Sequence, residues 1–214
     1  MDSCVTAALA AREWRLAFLH ADYGQRTEGK ERECFQALAA HFGAERTLVV
    51  DFSALRAVGG SSLTDPAIAV REGEPVPGVV PSSYVPFRNA HLLSAATSWA
   101  EVLGAAAIFV GAVWEDSSGY PDCRPQFYRA FEEAIRLGTR PGPGIRIVTP
   151  VIHMTKAEIV RCGLSLGAPF DKTWSCYQDE RLACGACESC RLRRKGFQEA
   201  GARDPIDYRG DQPA

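Results

Sequence analysis

Apolar and polar positions along the chain fall into two kinds of stretch. Four short runs, 15–21, 47–52, 106–113 and 145–150, are almost continuously aliphatic or β-branched, which predicts buried strands. Longer amphipathic stretches alternate with them. Residues 28–42 closed by Gly43, 89–103 closed by Gly104, and 125–137 closed by Gly138 carry the marks of helices stopped by glycine. Thr155 and Glu158 stand at capping-box spacing and predict the start of another helix, and residues 4–12 read as a helical run at the very front of the chain.

Strand and helix alternate, and the strands show no in–out alternation of their own. That combination predicts an α/β fold, a parallel sheet with helices on both faces. Such sheets bind ligands in the crevice beyond the carboxyl ends of their strands. Chemistry is therefore expected in the segments leaving those ends: 20–27, 51–63, 114–124 and 149–153. The stretch 53–88 is long and rich in Gly, Pro and Ser, which predicts a lid or an insert.

Composition narrows the partners. With a formal net charge of −2, the chain has no global attraction for nucleic acid or anionic membrane, so nucleic acid is not an expected partner. No basic segment leads into an apolar one at the front, and the longest apolar run, 104–114, is too short to span a bilayer. A cytoplasmic protein without a membrane partner is the expectation.

Cysteine placement adds chemistry. Cys4, Cys34, Cys123 and Cys162 are scattered, whereas Cys176, Cys184, Cys187 and Cys190 follow a Cys-x7-Cys-x2-Cys-x2-Cys spacing. Two sulfurs separated by two residues converge on one ion, and four thiolates fill a zinc shell, so a closed, structural Zn²⁺ site is expected in a reducing compartment. Arg181, Arg191, Arg193, Arg194 and Lys195 lie beside it in sequence. They are read as compensating the cluster's formal charge of about −2 and as a solvated helix face.

Several motifs run in one order along nearly the whole chain: Asp2-Ser3 at a helix start, Asp22-Tyr23-Gly24-Gln25-Arg26, Val85-Pro86-Phe87-Arg88-Asn89, and Asp116-Ser117-Ser118-Gly119-Tyr120-Pro121-Asp122-Cys123-Arg124. Thr149-Pro150-Val151-Ile152-His153 with Lys156-Ala157-Glu158-Ile159, Thr173-Trp174-Ser175-Cys176 and the three-cysteine knuckle follow. In this order they resemble the 7-cyano-7-deazaguanine synthase family of the PP-loop ATP pyrophosphatase superfamily.

The resemblance implies an ATP-dependent carbon–nitrogen ligase of queuosine biosynthesis, with an adenine nucleotide alpha hydrolase-like fold. Its substrates would be 7-carboxy-7-deazaguanine, ammonia and ATP, Mg²⁺ would accompany the ATP, and the family is compatible with a homo-oligomer. It implies an ATP-binding domain over 1–168 and a zinc-binding segment over 169–214. Asp2 and Ser3 match the end of the family's phosphate loop, and Gln25 and Arg26 are expected at the nucleotide. Arg88, Asn89, Asp116, Tyr120 and Asp122 are expected at the substrate, and the four cysteines match the zinc ligands. His153 is read as packed rather than catalytic, and no catalytic residue is assigned.

Three departures bear on that picture. Phe87 stands where the family often has glycine, and Thr27 where histidine is frequent. Met1 falls inside the loop, so the family's preceding strand and its Ser-Gly-Gly are not present. The expectation is that the natural chain extends upstream by roughly ten residues. The chain by itself is expected to bind ATP weakly and to be unstable, its neighbouring strands left with unpaired edges. Two alternatives follow: an impaired fragment or pseudoenzyme, or a related adenylating enzyme with another acceptor.

Overall fold

The computed structural model describes residues 1–73, 78–114, 119–142 and 144–210. The chain opens with helix α1 (Asp2–Ala10) and strand β1 (Ala17–Asp22), followed by α2 (Glu28–His41) and β2 (Arg46–Asp51). A short helix α3 (Ala54–Val58) precedes a long loop and α4 (Arg88–Leu103). Then come β3 (Ala107–Phe109), α5 (Pro125–Gly138), β4 (Arg146–Val148), α6 (Lys156–Ser165) and α7 (Glu188–Glu199).

The four strands among the described residues lie where the apolar runs predict them, and each pairing is parallel. β1 pairs with β2 from Ala17↔Arg46 to Asp22↔Asp51, and β3 pairs with β4 from Ala107↔Arg146 to Phe109↔Val148. The expected parallel sheet is therefore built as two parallel pairs, because β1 and β3 are not hydrogen-bonded to each other. An apolar cleft of about 410 Å³ lies between them, lined by Phe18 and Leu19 on one side and Ile108 and Phe109 on the other. Trp14 spans toward Phe109, its ring edge-on at 5.9 Å between centroids.

Local chemistry explains the helix ends. Thr155 Oγ1 accepts from the Glu158 amide while Glu158 Oε2 accepts from the Thr155 amide, so the capping box closes both ways and fixes the start of α6. α4 stops at Gly104, whose φ of 65° is left-handed. It starts after Phe87, a non-glycine residue at φ 57°. That strained backbone stands directly before Arg88 and Asn89, and strain of this kind gathers at functional sites.

α1, α6 and α7 share one core, in which Val5, Ile159, Val160 and Phe197 are buried together with Phe170. Arg193, on α7, corrects the solvated-face reading of the basic run. It is 1% exposed, donates to both carboxylate oxygens of Asp204 at 2.8 and 2.9 Å, and reaches the Phe170 and Thr173 carbonyls. Its charge is met by Asp204, and the residue ties the cysteine-rich segment to the rest of the protein. The long 53–88 stretch is likewise tied down in its described part. Ser61 and Ser62 are fully buried, Leu63 and Val85 join Tyr23 and Leu55 in a cluster, and residues 74–77 lie outside the described set.

Candidate functional site

A cavity of about 430 Å³ opens at the carboxyl ends of β1 and β3, the position parallel strands favour for a ligand. One wall is the start of α1. Met1, Asp2 and Ser3 face the cavity, and Asp2 Oδ2 accepts from Lys156 Nζ at 2.6 Å. Burial pushes the Asp2 carboxyl up, but Lys156 beside it, the amino terminus and Arg193 together more than offset that, so it is held below its ordinary range. The stability this pair contributes is present at neutral pH and is lost only on acidification through that lowered value. Asp2 Oδ1 is buried without a hydrogen-bond partner.

Close backbone approach makes this wall. Gly111 follows β3 and lies against α1, so a Cβ there would sit 2.6 Å from the Ser3 nitrogen and 2.7 Å from its Cα. Gly196 does the same between helices: a Cβ would meet Lys156 Cβ at 2.7 Å. Glycine at these two positions lets β3 and α7 reach the residues that carry Asp2, Ser3 and Lys156.

Another wall is aromatic and charged. Arg88 donates from Nη1 to the Tyr23 hydroxyl at 2.7 Å and lies 5.2 Å from that ring's centre. Tyr120 donates to Ser83 Oγ at 2.9 Å, and its hydroxyl is 3.5 Å from that of Tyr177. Burial works against the Arg88 charge, yet the tyrosines around it and Glu31 hold the guanidinium protonated. No carboxylate lies within ion-pair reach of Arg88 among the described residues.

Glu31, on α2, faces the same cavity. It accepts from Thr27 Oγ1 at 2.8 Å and from Gln25 Nε2 at 3.3 Å. Burial pushes its carboxyl up from the usual range despite those bonds. Retaining an acid in such a position costs stability at neutral pH, which points to use rather than packing. Cys123 also lines the cavity, but burial pushes its thiol up to about 11, so it is a neutral thiol rather than a nucleophile.

Of the residues singled out from sequence, Asp2, Ser3, Arg88, Asn89 and Tyr120 meet at this cavity. Gln25 and Arg26 do not line it. Gln25 accepts from the Tyr23 amide and donates to Ala21 O and Glu31, so its amide is spent shaping the loop and aiming Glu31. Arg26 reaches the carbonyls of Ser62, Asp65 and Ile68 and fastens the long loop. Asp122 is 4% exposed and accepts from the Asn89 amide at 3.0 Å, an aspartate capping α4 behind the wall. Asp116 lies outside the described residues. Sequence reasoning missed Glu31, Tyr23, Lys156 and Tyr177 as cavity residues.

The four cysteines lie beside this site. Their sulfurs all fall within 4.8 Å of one another, with Cys184 and Cys190 at 3.9 Å. A tetrahedral ion holding sulfur at about 2.3 Å separates its ligands by about 3.8 Å, so the donor set fits a metal ion. Backbone amides of Gln178 and Cys184 donate to Cys176 Sγ at 3.4 and 3.3 Å, and the Cys187 amide donates to Cys184 Sγ at 3.3 Å. This segment also supplies Ser175, Tyr177, Ser189, Leu192 and Arg193 to the cavity.

Comparison with known proteins finds relatives along nearly the whole chain. The family described as queuosine biosynthesis protein QueC matches residues 1–201. The chain is 55% identical over 212 residues to the 7-cyano-7-deazaguanine synthase of Koribacter versatilis (strain Ellin345), covering 97% of this chain and 89% of that protein. It is 54% identical over 209 residues to the 7-cyano-7-deazaguanine synthase of Chlorobaculum parvum (strain DSM 263 / NCIMB 8327), covering 97% and 92%. The synthase of the same name from Chloroherpeton thalassium (strain ATCC 35110 / GB-78) is 53% identical over 210 residues, covering 98% and 93%.

Proposed function

We propose, because the chain belongs to the QueC family of queuosine biosynthesis proteins, that it converts 7-carboxy-7-deazaguanine and ammonia to 7-cyano-7-deazaguanine at the expense of ATP. The observation that carries this reading is the cavity itself. It joins a helix N-terminus, Asp2 and Lys156 on one wall to a guanidinium among tyrosines on another.

A carboxylate is a poor electrophile because its oxygen is a poor leaving group. In the first half of the reaction a carboxylate oxygen attacks the α-phosphorus of ATP and pyrophosphate leaves, giving an acyl adenylate. Ammonia then adds at the carbonyl carbon, AMP leaves with its oxygen, and a proton is lost, giving the amide. In the second half the amide oxygen attacks another ATP, pyrophosphate leaves again, and loss of AMP and protons gives the nitrile.

The α1 N-terminus offers free backbone amides to the polyphosphate at Asp2 and Ser3, where a helix favours negative charge. Lys156 adds a cation at the same point. The buried, unpartnered Oδ1 of Asp2 suits a Mg²⁺ ion arriving with ATP, whose role there is to neutralise phosphate charge. The four cysteines suit Zn²⁺ with no coordination position left for water, so that ion would hold the cavity's far wall rather than take part in chemistry. The substrates are small molecules, and among the described residues no helix is long and apolar enough to cross a membrane. A cytoplasmic setting is the one these substrates and free thiols suit, and a homo-oligomer is compatible with the reading.

Omission experiments test it. The purified protein with acid, ATP, Mg²⁺ and ammonium is expected to yield the nitrile with two AMP per product, by mass spectrometry and nucleotide chromatography. Leaving out any one of acid, ATP or ammonium is expected to abolish it. Nitrile formation without ATP, or AMP release at the same rate without the acid, would overturn the assignment.

A further inference from the structure

Two sets of side chains line the cavity. Asp2, Ser3 and Lys156 form one around the α1 N-terminus, which suits polyphosphate. Arg88, Glu31 and the three tyrosines 23, 120 and 177 form the other. The reaction steps above do not say which part of the substrate this second set holds.

Its chemistry is specific. Tyrosine faces suit a flat heterocycle, and an arginine fork suits a carboxylate through two parallel N–H bonds. Arg88 uses Nη1 on the Tyr23 hydroxyl, and the guanidinium has further donors to offer. Glu31 adds the complementary pole. Each of its oxygens already accepts one bond, from Thr27 and from Gln25, and each retains a second acceptor direction. A guanine-like ring presents two adjacent donors on its pyrimidine edge, the ring N–H and the exocyclic amine, and a carboxylate accepts both. The same ring carries its acid group on the five-membered side, away from that edge.

We infer that Arg88 and Glu31 are the two specificity-determining residues for the planar acid: Arg88 docks its carboxylate and Glu31 reads the donor edge of the base. This rests on the functional reading above and goes further by separating two halves of one substrate. Gln25 and Thr27 are positioning residues that hold Glu31. The assignment also separates the two halves of the reaction, since the acid carries a charge for Arg88 and the amide does not, whereas both present the same edge to Glu31.

The test measures two half-reactions of the full chain, acid plus ammonium to amide and supplied amide to nitrile, each with ATP. A lost charge-assisted bond corresponds to about a 10- to 150-fold effect. Arg88→Gln is expected to raise KM for the acid by about that factor and to change KM for the amide by less than about threefold. Arg88→Lys, which keeps the charge without the fork, is expected to fall between. Glu31→Gln is expected to raise both KM values alike. Equal losses on acid and amide in Arg88→Gln, with KM for ATP raised in both halves, would make Arg88 a phosphate residue and overturn the assignment. A Glu31→Gln protein with unchanged KM values would overturn the other half. Should the unaltered protein convert neither acid nor amide, the functional reading falls, and this inference with it.

Discussion

Replacing Cys190 with serine is expected to abolish metal binding at the four-cysteine cluster and unfold the C-terminal segment, with all activity lost. The four sulfurs are already gathered within 4.8 Å, and Cys190 is fully buried among them. Four thiols this close repel one another once ionised, and a divalent cation is what makes the cluster favourable. Structural zinc supplies about 10–16 kcal/mol of folding free energy in small peptides. That is as large as the whole stability of a typical domain, about 5–15 kcal/mol. Loss of even about 3 kcal/mol lowers the melting temperature of a chain this long by roughly 10 °C.

The consequence reaches the cavity because the same segment supplies Tyr177, Ser189 and Leu192 to its wall. Metal content by plasma emission and thermal melts should fall together. Cys34→Ser serves as the control, since Cys34 is half-buried on α2 and away from the cluster. An undiminished metal content and melting temperature in Cys190→Ser would show that this cysteine is not a ligand.

The second large effect is expected from a single methyl group. Gly111→Ala places a Cβ 2.6 Å from the Ser3 nitrogen, a distance at which backbone has to move. Because the obstacle is main chain rather than a flexible side-chain tip, the start of α1 is displaced and Asp2 and Ser3 move with it. Misplacement by about 1 Å at a reacting centre costs on the order of 100-fold in rate. Overpacking of this kind costs stability by about 1–3 kcal/mol. Steady-state kinetics with ATP varied should thus show kcat/KM down by about 100-fold in a protein that still folds. An alanine variant with normal ATP kinetics would place the phosphates elsewhere in the cavity.

How far the sequence carries such an account depends on the range of the interactions involved. The strands and most helices were legible because their signals are local. Apolar runs mark β1 to β4, Gly104 marks the end of α4, and Thr155 with Glu158 marks the start of α6. The cysteine cluster was legible because its spacing alone brings three sulfurs together. Arg88 and Tyr120, picked out from their motifs, both line the cavity.

What sequence missed is set by contacts between distant segments. Glu31 sits among Glu28, Lys30, Arg32 and Glu33, which reads as a solvated helix face, and only Gln25 and Thr27 turn it inward. Gln25 and Arg26 looked like ligand contacts because they leave a strand end, but their hydrogen bonds go to the protein's own loops. Arg193 looked like one more surface cation until Asp204 and the Phe170 carbonyl were seen to enclose it. The tight approach of Gly111 to Ser3 joins residues more than a hundred positions apart, and no sequence signal encodes it.

On the proposed function, this cavity adenylates twice on the way to a nitrile, first a carboxylate and then the amide made from it. Isotope transfer follows both steps. The acid is prepared with ¹⁸O in both carboxylate oxygens, turned over by the purified protein, and the AMP and pyrophosphate are weighed by mass spectrometry. The expected result is one ¹⁸O in each of the two AMP molecules and none in pyrophosphate. Label in pyrophosphate or free phosphate, or AMP without label, would contradict the account.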